Sequence, residues 1–122
     1  MPSVRLVHRS GRSGDAESAR LADDVDIARS TFEQGRGLMF KSSIPDGYAL
    51  VFPFGEVDTR WLHMLFVPFA IDALWLVDGE VQKRKRLAPF VGLGRGSADT
   101  IVELPAGAAD EVAVGDEVRL VE

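Results

Sequence analysis

The sequence predicts a mainly β protein, a sandwich or barrel of roughly seven or more short strands with one short helix. Two observations support this fold class. After Gly47, short apolar or alternating runs follow one another at fairly regular spacing, and Gly, Pro and Asp residues separate them. A clear helix start signal occurs in one place. The length of 122 residues and the lack of a long linker predict one domain, residues 1–122.

The N-terminal part is expected to contribute two strands. Residues 1–20 hold a short strand, Val4–His8, and a loose segment rich in Gly, Ser and Asp at 10–18. In Leu21–Ala28, apolar residues alternate with aspartates. A period of two is typical of a strand that buries one face.

The helix is expected to begin after Ser30. The Ser30 hydroxyl can accept the backbone N–H of Glu33, whose carboxylate can accept the backbone N–H of Ser30, and this reciprocal arrangement is a capping box. A short helix should therefore run from about Thr31. It should end near Phe40, because the glycines at 35 and 37 cannot sustain it for long.

The rest of the chain is predicted to be β structure. Strands are expected at Tyr48–Phe54, Thr59–Val67, Ala70–Val77, Glu80–Leu87, Thr100–Leu104 and Asp116–Val121. Thr59–Val67 is almost continuously apolar, which predicts burial on both faces. Asp78-Gly79 is a favoured two-residue hairpin turn, Pro68 should mark a bulge or strand boundary, and residues 89–99 form a predicted glycine-rich loop.

Composition excludes several kinds of protein. Cysteine is absent, which excludes a disulfide framework, a thiolate zinc site and a cysteine nucleophile. The net charge of -5 disfavours non-specific attraction to nucleic acid, and the basic run 83–86 alternates between the two faces of its strand. His8 and His63 provide no preformed ligand set for a metal. The sequence therefore predicts no metal, no cofactor and no nucleic-acid partner.

The expected location is the cytoplasm. The N-terminal residues 1–14 lack the apolar core of a secretory signal. The most apolar run, Leu62–Val77, has 16 residues and is interrupted by His63, Pro68 and Asp72, whereas a membrane-spanning helix needs roughly 20. A soluble protein without a membrane span is the resulting prediction.

Polar residues within this apolar run are the first candidates for a site. Trp61 and His63 share one face of a predicted strand, and Asp72 shares a face with aliphatic residues of the next strand. A buried carboxylate is costly unless it is paired or hydrogen-bonded. Asp72 therefore either caps backbone amides or pairs with an arginine to fix the fold, or else it faces a pocket together with His63.

Arg36 is the next candidate, because it lies between two glycines at the end of the predicted helix. Flanking glycines let the backbone approach a partner closely, and an arginine can hold a carboxylate through two hydrogen bonds. Two interpretations stay open. Arg36 pairs internally with Asp72 or another acid, or it binds an anionic ligand.

Five segments form a recognisable series along the chain. They are RGLMF (36–40), YALVFPF (48–54), RWLHMLFVPFAIDALWLVDGEV (60–81), ELPAG (103–107) and VGDEV (114–118). Together they resemble an uncharacterised family, domain of unknown function 192, over Leu21–Val121. The resemblance implies a compact β-sandwich or barrel with little helix, and it implies no activity because the family has none assigned.

The resemblance also carries individual residues over to this chain. Besides Arg36 and Asp72, the motif residues with an implied structural role are Gly37, Met39, Pro68, Asp78, Gly79, Glu103, Pro105 and Gly107. Many members read Phe-Trp-Met-Lys-Asn where this chain has Trp-Leu-His-Met-Leu at 61–65. Apolar residues replace the lysine–asparagine pair, so the resemblance implies no polar role there.

Three functions are compatible with these residues. The leading interpretation is a non-catalytic binding module in which Arg36, Trp61, His63 and Asp72 border a pocket for an anionic small molecule or a peptide carboxylate. The first alternative is an enzyme that uses His63 and Asp72 as an acid–base pair. The second is a protein-interaction or chaperone-like module with an exposed apolar patch.

Overall fold

The computed structural model describes residues 4–10 and 18–122. These residues form eight strands and one short helix, which confirms the mainly β prediction. The elements are β1 (Arg5–Arg9), β2 (Ser18–Ala22), β3 (Asp24–Ile27), α1 (Thr31–Arg36), β4 (Tyr48–His63), β5 (Ile71–Val77), β6 (Glu80–Leu87), β7 (Leu93–Pro105) and β8 (Glu117–Val121). The predicted loose segment at 10–18 falls mostly on residues 11–17, outside the described residues.

All eight strands belong to one sheet, in the order β2-β1-β8-β6-β5-β7-β4-β3. Neighbouring strands are antiparallel except β3 and β4, which are parallel. The sheet is not closed into a barrel, because β2 and β3 stand at its two ends. It curls, however, so that β1 and β3 come into contact, and both ends of the sheet cover the same apolar cluster.

The central strand β5 is buried on both faces, as expected for a continuous apolar run. Ala73 and Trp75 pack into a first core cluster, together with apolar residues of β4 and β7. Leu74 and Leu76 point to the opposite face, into a second cluster that β1, β2 and β8 also line. The sheet therefore separates two cores.

The helix begins as predicted and ends earlier than predicted. Glu33 donates its backbone N–H to the Ser30 hydroxyl at 3.0 Å, and Ser30 donates its own to the Glu33 carboxylate at 3.1 Å. The helix stops at Arg36 rather than near Phe40, because Gly37 has φ 51° and ψ -127°. That conformation favours glycine and cannot continue a right-handed helix.

The prediction of a doubly buried strand at Thr59–Val67 is wrong. This segment and Tyr48–Phe54 form one long strand, β4, whose second half is mostly exposed, and the Trp61 side chain is 59% exposed. The second half pairs with β7, but no other layer formed by residues 4–10 and 18–122 covers its outer face. The chain turns at 64–67, and Pro68 lies in the connection to β5.

The predicted glycine-rich loop at 89–99 is also wrong, since β7 begins at Leu93. Gly94 and Gly96 lie beneath the Trp75 ring. A Cβ atom on Gly94 would stand 2.6 Å from Trp75 Cη2, and one on Gly96 would stand 3.0 Å from the same ring system. These glycines allow a strand to pack closely over a buried indole, so their role is in the core.

The hairpin between β5 and β6 is confirmed. Asp78 and Gly79 have φ 49° and φ 78°, the two positive values that a type I′ turn requires. In the N-terminal part, the predicted strand Leu21–Ala28 divides into the end of β2 and all of β3. The described residues include no helix long and apolar enough to cross a membrane.

Candidate functional site

A cavity of about 210 Å³ opens between the α1–β4 connection, the end of β4 and the end of β7. We call it the Glu103 cavity. Its lining residues are Gln34, Gly35, Arg36, Gly37, Leu38, Met39, Phe52, Trp61, Leu62, His63, Val67 and Glu103. Three of the four predicted ligand-binding residues therefore line one concave surface.

Strand register fixes the direction of Glu103. It lies opposite Leu50 of β4 and Ala73 of β5, and both of those side chains belong to the first core cluster. Cross-strand partners share a face of a sheet, so the Glu103 side chain points to that same side. It is only 4% exposed, and its Oε1 atom lacks a hydrogen-bond partner within the described residues.

Burial raises the pKa of Glu103 to about 8. At neutral pH its carboxyl group therefore carries a proton in most molecules, and it can donate one hydrogen bond as well as accept others. A buried polar atom without a partner costs roughly 1–3 kcal/mol. A ligand that supplied the missing partner would recover part of that free energy.

The α1–β4 connection covers this carboxyl group with its backbone. A Cβ atom on Gly37 would stand 3.4 Å from Phe52 Cζ and 3.7 Å from Glu103 Oε1. Leu38, which is 2% exposed, anchors the connection in the first core cluster. The glycine is needed here both for its positive φ and for this close approach.

Arg36 supplies positive charge at the mouth of the cavity. Its side chain is exposed, and it takes part in none of the ion pairs among the described residues. The internal pairing with Asp72 that the sequence left open is absent. The guanidinium group is thus available to an anion from solution.

Trp61 and His63 lie at the rim of the cavity. They alternate along β4 with Leu62, which packs against the first core cluster. The Arg95 guanidinium lies 5.2 Å from the centre of the Trp61 ring. His63 accepts the backbone N–H of Leu65 at Nδ1 over 3.2 Å, so in the neutral ring the proton is on Nε2.

Asp72 does not belong to this site, and its prediction as a ligand-binding residue is corrected. It precedes Ala73 on β5 by one position, so it points to the opposite face of the sheet from Glu103. Arg86 donates to both of its oxygens at 2.8 and 3.4 Å. The backbone N–H groups of Gly107 and Ala109 donate to Oδ2 at 2.9 and 3.0 Å. Asp72 is a structural residue.

The same geometry makes the proposed His63–Asp72 acid–base pair wrong. Asp72 is 3% exposed and its hydrogen bonds are taken up by Arg86 and two amides. Its concave surroundings consist of Arg84, Lys85, Arg86 and Asp110, a group that does not include His63. The two side chains cannot exchange a proton in this arrangement.

A second depression of about 330 Å³ lies on the other side of Arg36 and Gly37. Tyr48 donates from its hydroxyl to Asp26 Oδ2 at 2.8 Å there. Burial, together with the Asp26 carboxylate, raises the pKa of Tyr48 well above its usual range. Because this hydroxyl already has a partner, the depression offers a ligand less than the Glu103 cavity does.

The profile of the family described as Uncharacterized ACR, domain of unknown function 192, matches residues 13–120. The chain belongs to this family. The resemblance noted in the sequence is thereby confirmed. A UPF0127 protein of Thermococcus sibiricus is 36% identical over an alignment of 101 residues, and the match covers 77% of this chain and 64% of that relative. The matched part of the chain spans less than two thirds of the relative's length.

Two solved structures have a similar fold. A proposed transcription regulator of Sinorhizobium meliloti 1021 superposes with a TM-score of 0.78 at 20% identity, covering 96% of this chain and 93% of its own. A protein of unknown function from Novosphingobium aromaticivorans superposes with a TM-score of 0.71 at 22% identity, covering 95% of this chain and 84% of its own. These likenesses concern the fold alone.

Some of the family's motif residues lie in turns, and others line the Glu103 cavity. Gly107 has φ 97° and presents its amide to Asp72, and Pro105 ends β7 just before it. Gly37, half-buried Met39 and Glu103 line the cavity. Sequence reasoning gave Glu103 a structural role and missed its place in the site. The signal was present, since a glutamate interrupts the apolar run Ile101–Leu104.

Proposed function

We propose that this protein is a one-domain binding module whose Glu103 cavity holds an organic carboxylate, either a small molecule or the carboxylate of a peptide. One observation carries the proposal. A carboxyl group that is almost fully buried, and whose Oε1 lacks a partner among the described residues, lines a cavity with an unpaired arginine at its mouth. Unpartnered buried polar groups are rare in folded proteins, and the residue that carries this one lines a cavity.

The charges in the cavity suit an anion. Arg36 can hold a carboxylate through two parallel hydrogen bonds. Glu103 does not repel the ligand at neutral pH, because burial raises its pKa to about 8 and keeps its proton in place. A protonated carboxyl group in an apolar site donates a strong hydrogen bond to an oxyanion.

The dimensions favour a small ligand or the end of a larger one. The cavity measures about 210 Å³, below the roughly 300–1,000 Å³ of sites for drug-sized molecules. Trp61 and His63 at the rim can contact whatever part of the ligand extends into solvent. A compact carboxylate, or the last residue of a peptide, meets these limits.

A thermal-shift screen with organic carboxylates at high concentration tests the proposal. A ligand at about 100 times its Kd stabilises the fold by about 2.7 kcal/mol, which raises the melting temperature measurably. Glu103→Gln and Arg36→Gln should each weaken the shift, whereas Arg119→Gln, a control on β8 whose partner is Glu117, should keep it. A screen without any hit, or hits that persist in both cavity variants, would argue against this function.

Acid–base catalysis is the second candidate, because a cavity carboxyl group with a pKa of about 8 is suited to proton transfer near neutral pH. Glu103 would take the role first assigned to Asp72. Nuclear magnetic resonance of any bound carboxylate over time distinguishes the two functions. Conversion that stops in Glu103→Gln supports catalysis, and an unchanged ligand supports binding alone.

The cytoplasm is the proposed compartment, and a small molecule or a protein is the proposed partner. The proposed compartment rests on the cysteine-free composition. The proposed partner rests on the polar groups that line the Glu103 cavity. Fractionation of native cells with detection of the untagged protein tests the compartment. Recovery outside the cytoplasm would contradict it.

A further inference from the structure

Positive charge is concentrated in three segments of this acidic chain. The chain has 14 Lys and Arg against 19 Asp and Glu. Residues 34–45, 59–71 and 81–98 contain eight of these cations and not one carboxylate. The eight are Arg36, Lys41, Arg60, Lys83, Arg84, Lys85, Arg86 and Arg95. Arg86 is paired with Asp72 and Asp110, and the remaining cations leave these segments with a positive charge in a chain that is acidic as a whole.

The same segments carry most of the exposed apolar surface. Of the eleven large hydrophobic residues that are exposed among the described residues, seven lie in these segments, and Phe32 shares a groove with one of the seven, Phe40. We call these eight the apolar tip: Phe32, Phe40, Trp61, Leu65, Phe66, Phe90, Val91 and Leu93. The other three, Val57, Val114 and Leu120, lie outside the segments.

Backbone hydrogen bonds join the three segments into one surface. Phe40 donates its N–H to the carbonyl of Phe66 at 2.9 Å, and Phe90 donates to the carbonyl of Val67 at 3.0 Å. The rings of Phe40 and Phe66 stack with centroids 5.0 Å apart. Phe32 shares an apolar groove with Phe40 on the outer side of α1. The backbones of the three segments are thus close together, and Phe32, Phe40 and Phe66 form one group of exposed rings.

Three phenylalanines of the tip have an unusual backbone. Phe40, Phe66 and Phe90 have φ values of 70°, 61° and 63°, a left-handed conformation that is rare for bulky residues. Their side chains are 68%, 50% and 59% exposed. Because the three rings are largely exposed to water, the fold gains little core packing in return for this unusual backbone. Such features cluster at functional surfaces.

Cations border the apolar residues closely. The Arg95 guanidinium lies over the Trp61 ring, and Lys85 donates from Nζ to the carbonyl of Leu93 at 2.6 Å. Lys41 follows Phe40 directly in the chain. Protruding aromatic and aliphatic side chains with a basic border match a bilayer surface, where rings enter the interface and cations approach anionic headgroups.

We propose that the apolar tip docks this protein on the surface of a bilayer that contains anionic lipid. A net charge of -5 does not oppose this contact, because screening limits electrostatic interactions to about 10 Å and residues 34–45, 59–71 and 81–98 contain no carboxylate. Most residues of the apolar tip are more than half exposed to solvent. Side chains that protrude in this way suit insertion among headgroups better than the flat packing of a protein interface.

Co-sedimentation with vesicles tests the proposal on the full chain. The vesicles consist of phosphatidylcholine alone or of equal parts phosphatidylcholine and phosphatidylglycerol. The protein should pellet with the anionic vesicles and stay in solution with the neutral ones. The variant Phe40→Asn/Phe66→Asn/Phe90→Asn should bind at least about tenfold more weakly, because asparagine tolerates a positive φ and removes the apolar rings. Circular dichroism and thermal unfolding verify that it folds.

Two matched controls separate the tip from general surface properties. Val57→Asn/Val114→Asn/Leu120→Asn removes the exposed apolar residues outside the tip and should leave binding unchanged. Lys41→Gln/Lys85→Gln should weaken binding to anionic vesicles by about thirtyfold, since two basic residues contribute roughly 1 kcal/mol each near such a surface. Arg20→Gln/Arg119→Gln removes the same charge elsewhere and should have a much smaller effect.

Three results would overturn the proposal. The first is that wild-type protein pellets with neither kind of vesicle or with both equally. The second is that the folded triple-asparagine variant binds as wild type does. The third is concentration-dependent dimerisation in analytical ultracentrifugation, lost in that variant and without vesicle binding, which would assign the tip to a protein interface.

Discussion

Replacing Glu103 by glutamine keeps the shape of the side chain and removes its titration. The ordinary pKa of 4.5 rises to about 8 on burial. The folded protein therefore holds a proton that the unfolded chain releases between these pH values. Because the folded state binds more protons there, the free energy of unfolding falls as the pH rises through that range. At about 1.4 kcal/mol per pH unit, the loss is at most about 5 kcal/mol.

Urea unfolding of wild type and Glu103→Gln at a series of pH values measures this effect. The two proteins should differ little at about pH 4, and the variant should be the more stable by several kcal/mol at about pH 9. Glu111→Gln, an exposed control, should follow the wild-type curve. Parallel curves for wild type and Glu103→Gln would mean that Glu103 ionises normally in the folded state. The description of its cavity would then be wrong.

Three further predictions concern the cavity and the frame around it. Carboxylate binding should weaken as the pH rises through about 8, because Glu103 then becomes an anion; calorimetric titration checks this, and constant affinity would contradict it. Asp72→Ala should lower the free energy of unfolding by about 1–3 kcal/mol or more, since two backbone amides lose their acceptor. The exposed Asp110→Ala, which also contacts Arg86, should cost less than about 1 kcal/mol, and equal effects in urea unfolding would refute the structural role of Asp72. Gly35→Ala should stabilise the helix by about 0.5–1 kcal/mol, because a Cβ there meets no atom within 4 Å. Gly94→Ala should instead destabilise the protein by about 1–3 kcal/mol, because its Cβ would overlap a buried tryptophan, and unfolding curves in the opposite order would contradict both.

Sequence reasoning succeeded where local chemistry decides the structure. The capping box at Ser30 and Glu33 forms because both partners lie within one helical turn. The turn at Asp78-Gly79 forms because those two residues tolerate positive φ. Neither feature depends on distant parts of the chain. Both could therefore be predicted with the correct residue numbers.

Prediction from the sequence failed where the exposure of a strand depends on whether another layer of the fold covers it. Apolar residues over Thr59–Val67 predicted a doubly buried strand, yet the outer face of this segment is open and Trp61 is largely exposed. The glycines of residues 89–99 predicted a loop, because the tryptophan that needs them is Trp75, on another strand. Both errors concern contacts between segments far apart in sequence.

The candidate site could be predicted only in part, because it too depends on contacts between segments far apart in sequence. Arg36 stands out locally by its flanking glycines, and His63 by its apolar neighbours. The partners of Asp72, however, lie 14, 35 and 37 residues away. Two interpretations of this aspartate were therefore open, and only the fold distinguishes an acid whose hydrogen bonds are complete from one that lacks partners.

Glu103 is the buried acid whose hydrogen bonds are incomplete among the described residues, and its energetics support the proposed role of the cavity. An apolar residue at this position would fill the core side of β7 without a desolvation penalty, so glutamate is the less stable choice for the fold. Residues that contradict local rules without a compensating internal contact are expected at functional sites. Asp72, equally buried, has a full set of partners and so requires no ligand. The difference between these two carboxyl groups, one complete and one incomplete, is the reason for proposing a binding site at the Arg36 side of the sheet.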